Sequence, residues 1–368
     1  MNTDPLFPGR LALQQRVLPS YRVPFFDMLA QACGGGMSLF AGLPRANESI
    51  ANGKLQIANY APARNIHIFN GALYLCYQRG LMAWLKDWNP DVLIVEANPR
   101  YLATPFAVRW MHTHGRKVVG WGLGAPPLSG LLNGLRQTRR IQFLNQFDAL
   151  ISYSRRGADE YAALGFRPEK IFVAPNAVSS RPLFPMPARP SSFKDGPVIL
   201  FIGRLQKRKR VDDLLRACSE IESKPRLIVV GDGPEREHLE SLAKQVYPSA
   251  EFIGAKHGAE LKTYFTEADL FVLPGTGGLA VQEAMSYGLP IIVAKGDGTQ
   301  DDLVRASNGW QIAPENYETL VNTMRLALSD VGRLRTMGAE SYRIVSEEIN
   351  LEKMVDVFVQ ALNSLMHS

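Results

Sequence analysis

Between Leu273 and Val304 the chain reads LPGTGGLAVQEAMSYGLPIIVAKGDGTQDDLV, a stretch with little freedom in what it can fold into. Ala268 to Pro274 reads as a strand that delivers the chain to a glycine-dense loop, Gly275-Thr276-Gly277-Gly278. The run from Leu279 to Tyr287 is amphipathic with helical spacing, Gly288-Leu289-Pro290 breaks it, and IIVA starts another strand. Strand, loop, helix and strand in that order form the unit of an α/β fold, whose ligands collect at the carboxyl ends of the strands. The glycines have two readings. They leave backbone N–H groups at the positive end of a helix, a site for an anion such as a phosphate, or they serve only a tight strand-to-helix turn.

The same unit recurs along the chain. In the first half Leu11–Leu18, Met37–Ala41, Pro90–Glu96, Lys117–Trp121, Ala149–Ser154 and Ile171–Ala174 read as strands. Helices are expected through FFDMLAQAC, over Leu73–Leu85 and over Ala103–His114, and the region 43–70 holds a strand or two among loops. Leu131 to Leu144 combines leucines with Arg136, Arg139 and Arg140; such a helix either lies on an anionic membrane surface or packs with one wet face. Residues 178–197 are rich in proline and serine and should form an extended linker, since proline continues neither ladder. A second α/β series follows from Val198, with two helices within 315–345 and a last amphipathic one from Leu351 to Leu365. The 368 residues accordingly suit two domains of roughly 170–190 residues each.

Apolar residues at 46% and charged residues at 21% are those of a soluble globular protein. No apolar run approaches the ~18 residues of a spanning helix, and MNTDPLFPGR has no signal-peptide layout. Cys33, Cys76 and Cys218 are scattered and are expected as buried thiols in a reducing cytoplasm. Residues 1–180 hold 19 basic against 10 acidic side chains, a balance of +9; the remainder holds 22 against 25, or −3. The basic half suits an anionic partner, or else is an ordinary solvated surface.

Four segments in a fixed order carry a resemblance to a known family. VILFIGRLQKRKRVDDLLRA, LIVVGDGPEREHLESLA, AEFIGAKHGAELKTYFTEADLFVLP and the glycine-loop stretch through EAMSYGLPII resemble the donor half of retaining nucleotide-sugar glycosyltransferases of the family-four type. The match covers residues 197 to about 330 well and the first half more loosely. It implies an α/β fold of two Rossmann-like domains (GT-B) facing across a cleft, with the C-terminal helix returning to the N-domain. The boundaries are 1–177 for an acceptor-binding domain, 178–197 for the linker, 198–345 for a donor-binding domain and 346–368 for the returning helix.

The resemblance also implies roles. Arg204 and Lys209, in a Gly-Arg-Leu-x3-Lys match, neutralise the donor's diphosphate, although Lys207, Arg208 and Arg210 crowd the same loop. Glu283 matches the second acid of a Glu-x7-Glu motif and accepts from the ribose hydroxyls, a vicinal diol suited to a carboxylate. Gly203, Gly231 and Gly233 let the nucleotide approach, the backbone at Ile253 reads the base, and Gly277, Gly278 and Leu279 offer amides to the donor. Asp302 matches the acid of a Gly-Gly-x-Pro-Glu turn; alternatively Thr299 or Asp301 caps the helix beginning there. On the acceptor side, Arg16, Tyr21 and Arg22 follow the first strand and grip a phosphate or sugar, or else pack and solvate; Asn98, Trp121 and Gly122 lie at further carboxyl edges.

The chain departs from the family in three places. The first acid should stand at Gly275, a histidine facing the reaction centre is common where Leu123 stands, and the first loop reads LPSYRVP without the usual Gly-Gly. His112 and His114 lie on the preceding helix and are expected at the surface or in packing. Neither a DxD pair near a strand end nor a His/Asp/Glu ligand set is visible, so no metal and no cofactor is expected beyond the nucleoside-diphosphate sugar itself. The implied reaction is metal-independent sugar transfer with retention, to a glycan or lipid-linked acceptor of cell-envelope or surface-polysaccharide synthesis. The implied place is the cytoplasm, at the inner face of an anionic membrane. A degenerate transferase that binds without turnover is the alternative. A Rossmann oxidoreductase lacks its GxGxxG here, and a nucleic-acid partner is not expected because the basic residues are dispersed.

Overall fold

In a computed structural model, residues 6–45, 48, 50–128, 133–296 and 298–366 are described. The chain divides into two compact units, Met1–Val178 with Leu351–Ser368, and Ser179–Asn350.

The first unit is built on a parallel sheet ordered β3-β2-β1-β6-β7-β8-β9. Its strands are β1 (Leu11–Val17), β2 (Met37–Gly42), β3 (Asn59–Pro62), β6 (Val92–Glu96), β7 (Lys117–Gly122), β8 (Ala149–Ser152) and β9 (Ile171–Val173). Helices α1 (Val23–Gln31), α2 (Leu81–Trp88), α3 (Thr104–Thr113), α4 (Asn133–Leu144) and α5 (Arg155–Ala163) make the crossovers. The central strands read as continuous apolar runs because helices cover both faces of a parallel sheet, so every residue from Val92 to Val95 is buried. A separate antiparallel hairpin joins β4 (Arg64–Ile68) to β5 (Leu75–Arg79). Here the expected helix over Leu73–Leu85 is corrected: LCYQR alternates with period two against β4, and Gly80 at φ 97° breaks the chain before α2. The last helix, α13 (Leu351–Met366), belongs to this unit and packs on α1, β8 and β9. Phe358 of that helix meets Phe25 edge-on at 4.9 Å and Trp121 at 5.0 Å. All three cysteines are buried and free.

The second unit holds a parallel sheet ordered β12-β11-β10-β13-β14-β15. The strands are β10 (Val198–Ile202), β11 (Arg226–Val230), β12 (Glu251–Gly254), β13 (Leu270–Leu273), β14 (Ile291–Ala294) and β15 (Gly309–Ile312). Between and after them run α6 (Val211–Ser219), α7 (Arg236–Val246), α8 (Lys262–Glu267), α9 (Ala280–Ser286), α10 (Thr299–Leu303), α11 (Tyr317–Leu328) and α12 (Val331–Glu347). Residues 179–197 are irregular, but they are lashed to this unit rather than spanning free. Arg189 donates to the carbonyls of Phe265, Ala268 and Tyr287 at 2.8, 3.0 and 2.7 Å, and Tyr342 Oη donates to Phe184 O at 2.5 Å. Among the described residues no helix is long and apolar enough to cross a membrane.

Candidate functional site

At the carboxyl ends of β10, β11 and β12 the second unit opens a cavity of about 750 Å³, with the exposed Arg204 on its wall beside Gly203, Gly231 and Gly233. Two strand-end loops are zipped together to form it. Gly203 N donates to Val230 O at 3.0 Å, Leu205 N to Asp232 O at 2.9 Å and Glu235 N to Leu205 O at 3.2 Å. Gly231 and Gly233, at φ 145° and 159°, have a more local reason than the nucleotide. A Cβ on either would run into the carbonyl oxygen of Gly203 or Leu205, so the close approach that glycine permits is loop against loop. Ile253 falls short of the cavity, whose wall beyond β12 is made by Ala255, Lys256 and His257. Because a strand alternates sides, a reading by strand ends misses by such small offsets.

Lys209 is buried behind Gly203 of the cavity wall and does not itself line the cavity. Its Cε lies 4.0 Å from where a Gly203 Cβ would stand, and its Nζ donates to Thr276 O and Gly277 O at 2.8 Å each. The lysine therefore ties the cavity wall to the glycine turn. Burial, and then the neighbouring Arg208 charge, push its pKa down to about 8. The cations of this loop differ in burial and in partners. Arg208 reaches Thr276 O only at 3.3 Å from an exposed position, and Arg210 is spent on Asp213 at 2.5 Å. Gly275 is wedged under the same segment. A Cβ there would collide with the Arg208 carbonyl oxygen and stand 2.5 Å from Lys209 Cα, while Thr276 N donates to Arg208 O at 3.1 Å. The family's first acid is absent from a position that has no room for any side chain.

Beyond the turn, Gly277 adopts φ 70° and Leu279 stands as the N-cap of α9 without a side-chain capping bond. Glu283 is half-buried on α9, and burial pushes its carboxyl pKa up. The neighbouring Gln282 fixes that helix. Its amide accepts from Ser179 N at 3.3 Å and donates to Ser179 O at 3.3 Å and Ile349 O at 2.9 Å, near where the chain enters and leaves this unit. Asp302 is buried on α10 and does not line the cavity. The alternative of a cap by Thr299 or Asp301 is corrected: Gly298, at φ 93°, stands at the N-cap of α10.

The first unit has its own cavity of about 380 Å³ at the carboxyl ends of β6, β7 and β8, and it gathers Asn98, Trp121 and Gly122 with Glu96, Leu123 and Tyr153. Glu96 and Tyr153 were not singled out in the sequence; the one signal was an acid as the last residue of an otherwise apolar strand. The Glu96 carboxylate accepts from Arg16 N at 2.6 Å, and its pKa is raised by burial, partly offset by Tyr101 and that amide. Trp121 offers this cavity little, being buried among Phe25, Phe26, Tyr153 and Phe358. The exposed Leu123 presents an apolar surface at this cavity.

The three residues expected after the first strand divide. Arg16 pairs with Glu48 at 2.8 Å; burial works against that carboxylate, but Arg16 and Arg45 hold its pKa at about 2. Tyr21 is exposed. Arg22 is buried and is not a phosphate grip: it bonds Asn176 Oδ1 and Ala177 O, and its guanidinium lies 5.4 Å from the Trp121 ring. It pins α1 to the end of the first unit's main segment. His112 sits at the surface, 3.1 Å from Asp148.

Known proteins resemble this chain in sequence and in fold. The family model for glycosyl transferases group 1 matches residues 186–344, and that for a glycosyl transferase 4-like domain matches 58–177. An uncharacterized glycosyltransferase of Methanocaldococcus jannaschii is 32% identical over 145 residues, 38% of this chain and 37% of that one. A lipopolysaccharide core biosynthesis glycosyltransferase of Rhizobium meliloti is 23% identical over 302 residues, covering 76% and 87%. The match spans only about a third of the length of the first curated relatives. Anabaena HepE, solved in complex with UDP, superposes with a TM-score of 0.70 at 16% identity, covering 96% of this chain and 99% of that one. With two family models on successive stretches, a loop-zipped cavity with Arg204 on its wall, and this fold, the chain belongs to the family-four-like glycosyltransferases of the GT-B type.

Proposed function

We propose that the protein moves a sugar from a nucleoside diphosphate to a hydroxyl of a glycan or lipid-linked acceptor, with retention and without a metal ion, in cell-envelope or surface-polysaccharide synthesis at the inner face of the cytoplasmic membrane. The observation that carries this reading is the 750 Å³ cavity with Arg204 on its wall and Lys209 strapped beneath the adjoining glycine turn. Its size lies within the ~300–1,000 Å³ typical of ligand sites. As the glycosidic bond breaks, negative charge builds on the leaving diphosphate, and cations already held in place stabilise it without reorganising water. The leaving phosphate then takes the acceptor's proton on the same face, with no protein nucleophile. The acceptor is held by the first unit's cavity, where Glu96 and Asn98 offer hydrogen-bond partners to hydroxyls. The relative from Rhizobium meliloti supports the envelope setting, and HepE, also solved in complex with UDP-glucose, supports a nucleotide sugar as donor.

A donor screen tests this. Thermal shift with UDP-, GDP- and ADP-sugars is expected to single out one stabilising donor whose effect is lost in Glu283→Ala, and transfer of its sugar is expected to be unaffected by EDTA. Equal stabilisation of both proteins would remove Glu283 from the site, and loss of transfer in EDTA would remove metal independence. Binding should also depend on pH. Lys209, with its pKa lowered to about 8, is charged below that value and neutral above it, whereas the bound diphosphate favours the charged form. Affinity for the nucleotide sugar is thus expected to be flat from pH 6.5 to 7.5 and to weaken above pH 8 by up to about tenfold per unit. Calorimetry across that range checks the slope, and Lys209→Met should flatten it.

A second reading, binding without turnover, is favoured by the two departures at the site: Leu123 on the first cavity's wall and the absence of space for an acid at Gly275. Release of nucleoside diphosphate in the presence of acceptor separates the two.

A further inference from the structure

The outward face of the first unit carries apolar side chains that no described element covers. β4 pairs with β5 so that Ile66 stands opposite Tyr77, and β5 continues to the 100–102 segment through the Cys76–Tyr101 bridge. Cys76 and Tyr101 are buried, so the neighbouring Tyr77 and Leu102 point outward, and the row Ile66–Tyr77–Leu102 is exposed across three chain segments. It continues to Phe106 of α3, which with Tyr77 and Trp110 lines an open groove of about 620 Å³. At the hairpin tip Phe69 and Leu73 are 65% and 73% exposed, and Phe69 holds φ 59°, a conformation that bulky residues rarely keep.

Cations frame these groups. Arg64 and Arg79 form the next opposed pair on the same face of the hairpin, and Arg109 borders the groove. All three are exposed, and none has an ion-pair partner among the described residues. Residues 49–147 contain 11 Lys+Arg against only Asp87, Asp91 and Glu96, and the last of these lines the cavity described above.

We propose that the β4–β5 hairpin with the start of α3 is the surface by which this protein docks on an anionic lipid bilayer. Phe69 and Leu73 enter the boundary between headgroups and acyl chains, Tyr77 and Phe106 lie at headgroup level, and the three arginines meet lipid phosphates. This rests on the reading that the enzyme works at a membrane, and it names the face. Apolar side chains left in water cost free energy that an interface recovers, and an acid-free cationic frame selects a polyanionic surface over a neutral one. The basic helix singled out in the sequence does not offer the same. Leu131 and Leu132 lie outside the described residues, the outward positions from Gly134 to Arg139 include only Leu135 as an apolar side chain, and Arg140 is turned to Pro126 O at 2.6 Å.

Co-sedimentation of the full chain with vesicles of phosphatidylcholine, alone or mixed with phosphatidylglycerol, tests the assignment. The wild type is expected to bind only the mixed vesicles, and less at high salt. Phe69→Ser combined with Leu73→Ser, both at an exposed tip, should lower partitioning roughly tenfold or more, as should Arg64→Glu with Arg79→Glu. Arg136→Glu with Arg139→Glu on α4 should cost much less. Donor-induced thermal stabilisation is expected to be unchanged in all of them, so a folding failure would be seen. Wild-type-like binding by the tip variant, or loss only in the α4 variant, overturns this face while leaving membrane association in place. Absence of binding to mixed vesicles by the wild type overturns both. A vesicle-independent dimer that the tip variant makes monomeric would assign the face to a second copy of the chain and overturn the proposal as well.

Discussion

Lys209→Met is expected to lower kcat/KM by about 10²–10³ while the melting temperature moves by only a few degrees. Methionine keeps the length and the burial of the stem but removes the charge and the two bonds to Thr276 O and Gly277 O. Thr276 is exposed and Gly277 partly so, so the two carbonyls can turn to water and the stability cost is about 1 kcal/mol. The catalytic cost is larger because a preorganised cation acts where charge develops and water is scarce. Arg208 supplies the internal comparison: it reaches the same turn from an exposed position at 3.3 Å, and Arg208→Ala should cost less than tenfold. Steady-state kinetics with varied donor, read beside melting curves, decide between the two. If Arg208→Ala proves the more damaging, the diphosphate cation has been misplaced by one residue.

How far the site could be read in advance depended on the range of the interactions behind each residue. Continuous apolar runs such as VLIVE, LIVV and IIVA identified β6, β11 and β14 because a parallel sheet buries both faces. The hairpin strand β5 was misread as helix because LCYQR sits outside that sheet and is only partly buried. Its alternation is visible only once β4 is known to be its partner. Arg22 was misassigned for a related reason. A basic residue after a first strand suits a ligand, and nothing near it in sequence reveals that Asn176, Ala177 and Met354 consume its guanidinium. Lys209 was reachable by motif spacing, yet its separation from Lys207, Arg208 and Arg210 required burial and partners. Gly231 and Gly233 were rightly read as positions of close approach, but the approaching group is the 203–205 backbone of the neighbouring loop.

Gly275→Ala is expected to lower the melting temperature by roughly 6–12 °C, the effect of about 3 kcal/mol of overpacking in a unit of this size. The new Cβ would meet backbone, the Arg208 carbonyl and Lys209 Cα, and backbone held in a short loop between β10 and α6 cannot swing aside as a side chain could. Gly275→Glu, which supplies the acid that the motif resemblance implies at this position, should be at least as destabilising and should also abolish donor-induced stabilisation, because any relief of the clash displaces the segment that carries Lys209. In an ordinary member of the family that acid would be expected to add contacts to the sugar; here the turn and the lysine occupy its place. Melting curves with and without nucleotide sugar separate the outcomes. A Gly275→Glu protein that melts near the wild type and binds donor more tightly would mean that the turn can open to admit a side chain. The Lys209 strap would then be one conformation of the loop, and the pH dependence tied to its buried amine should vanish in the same variant.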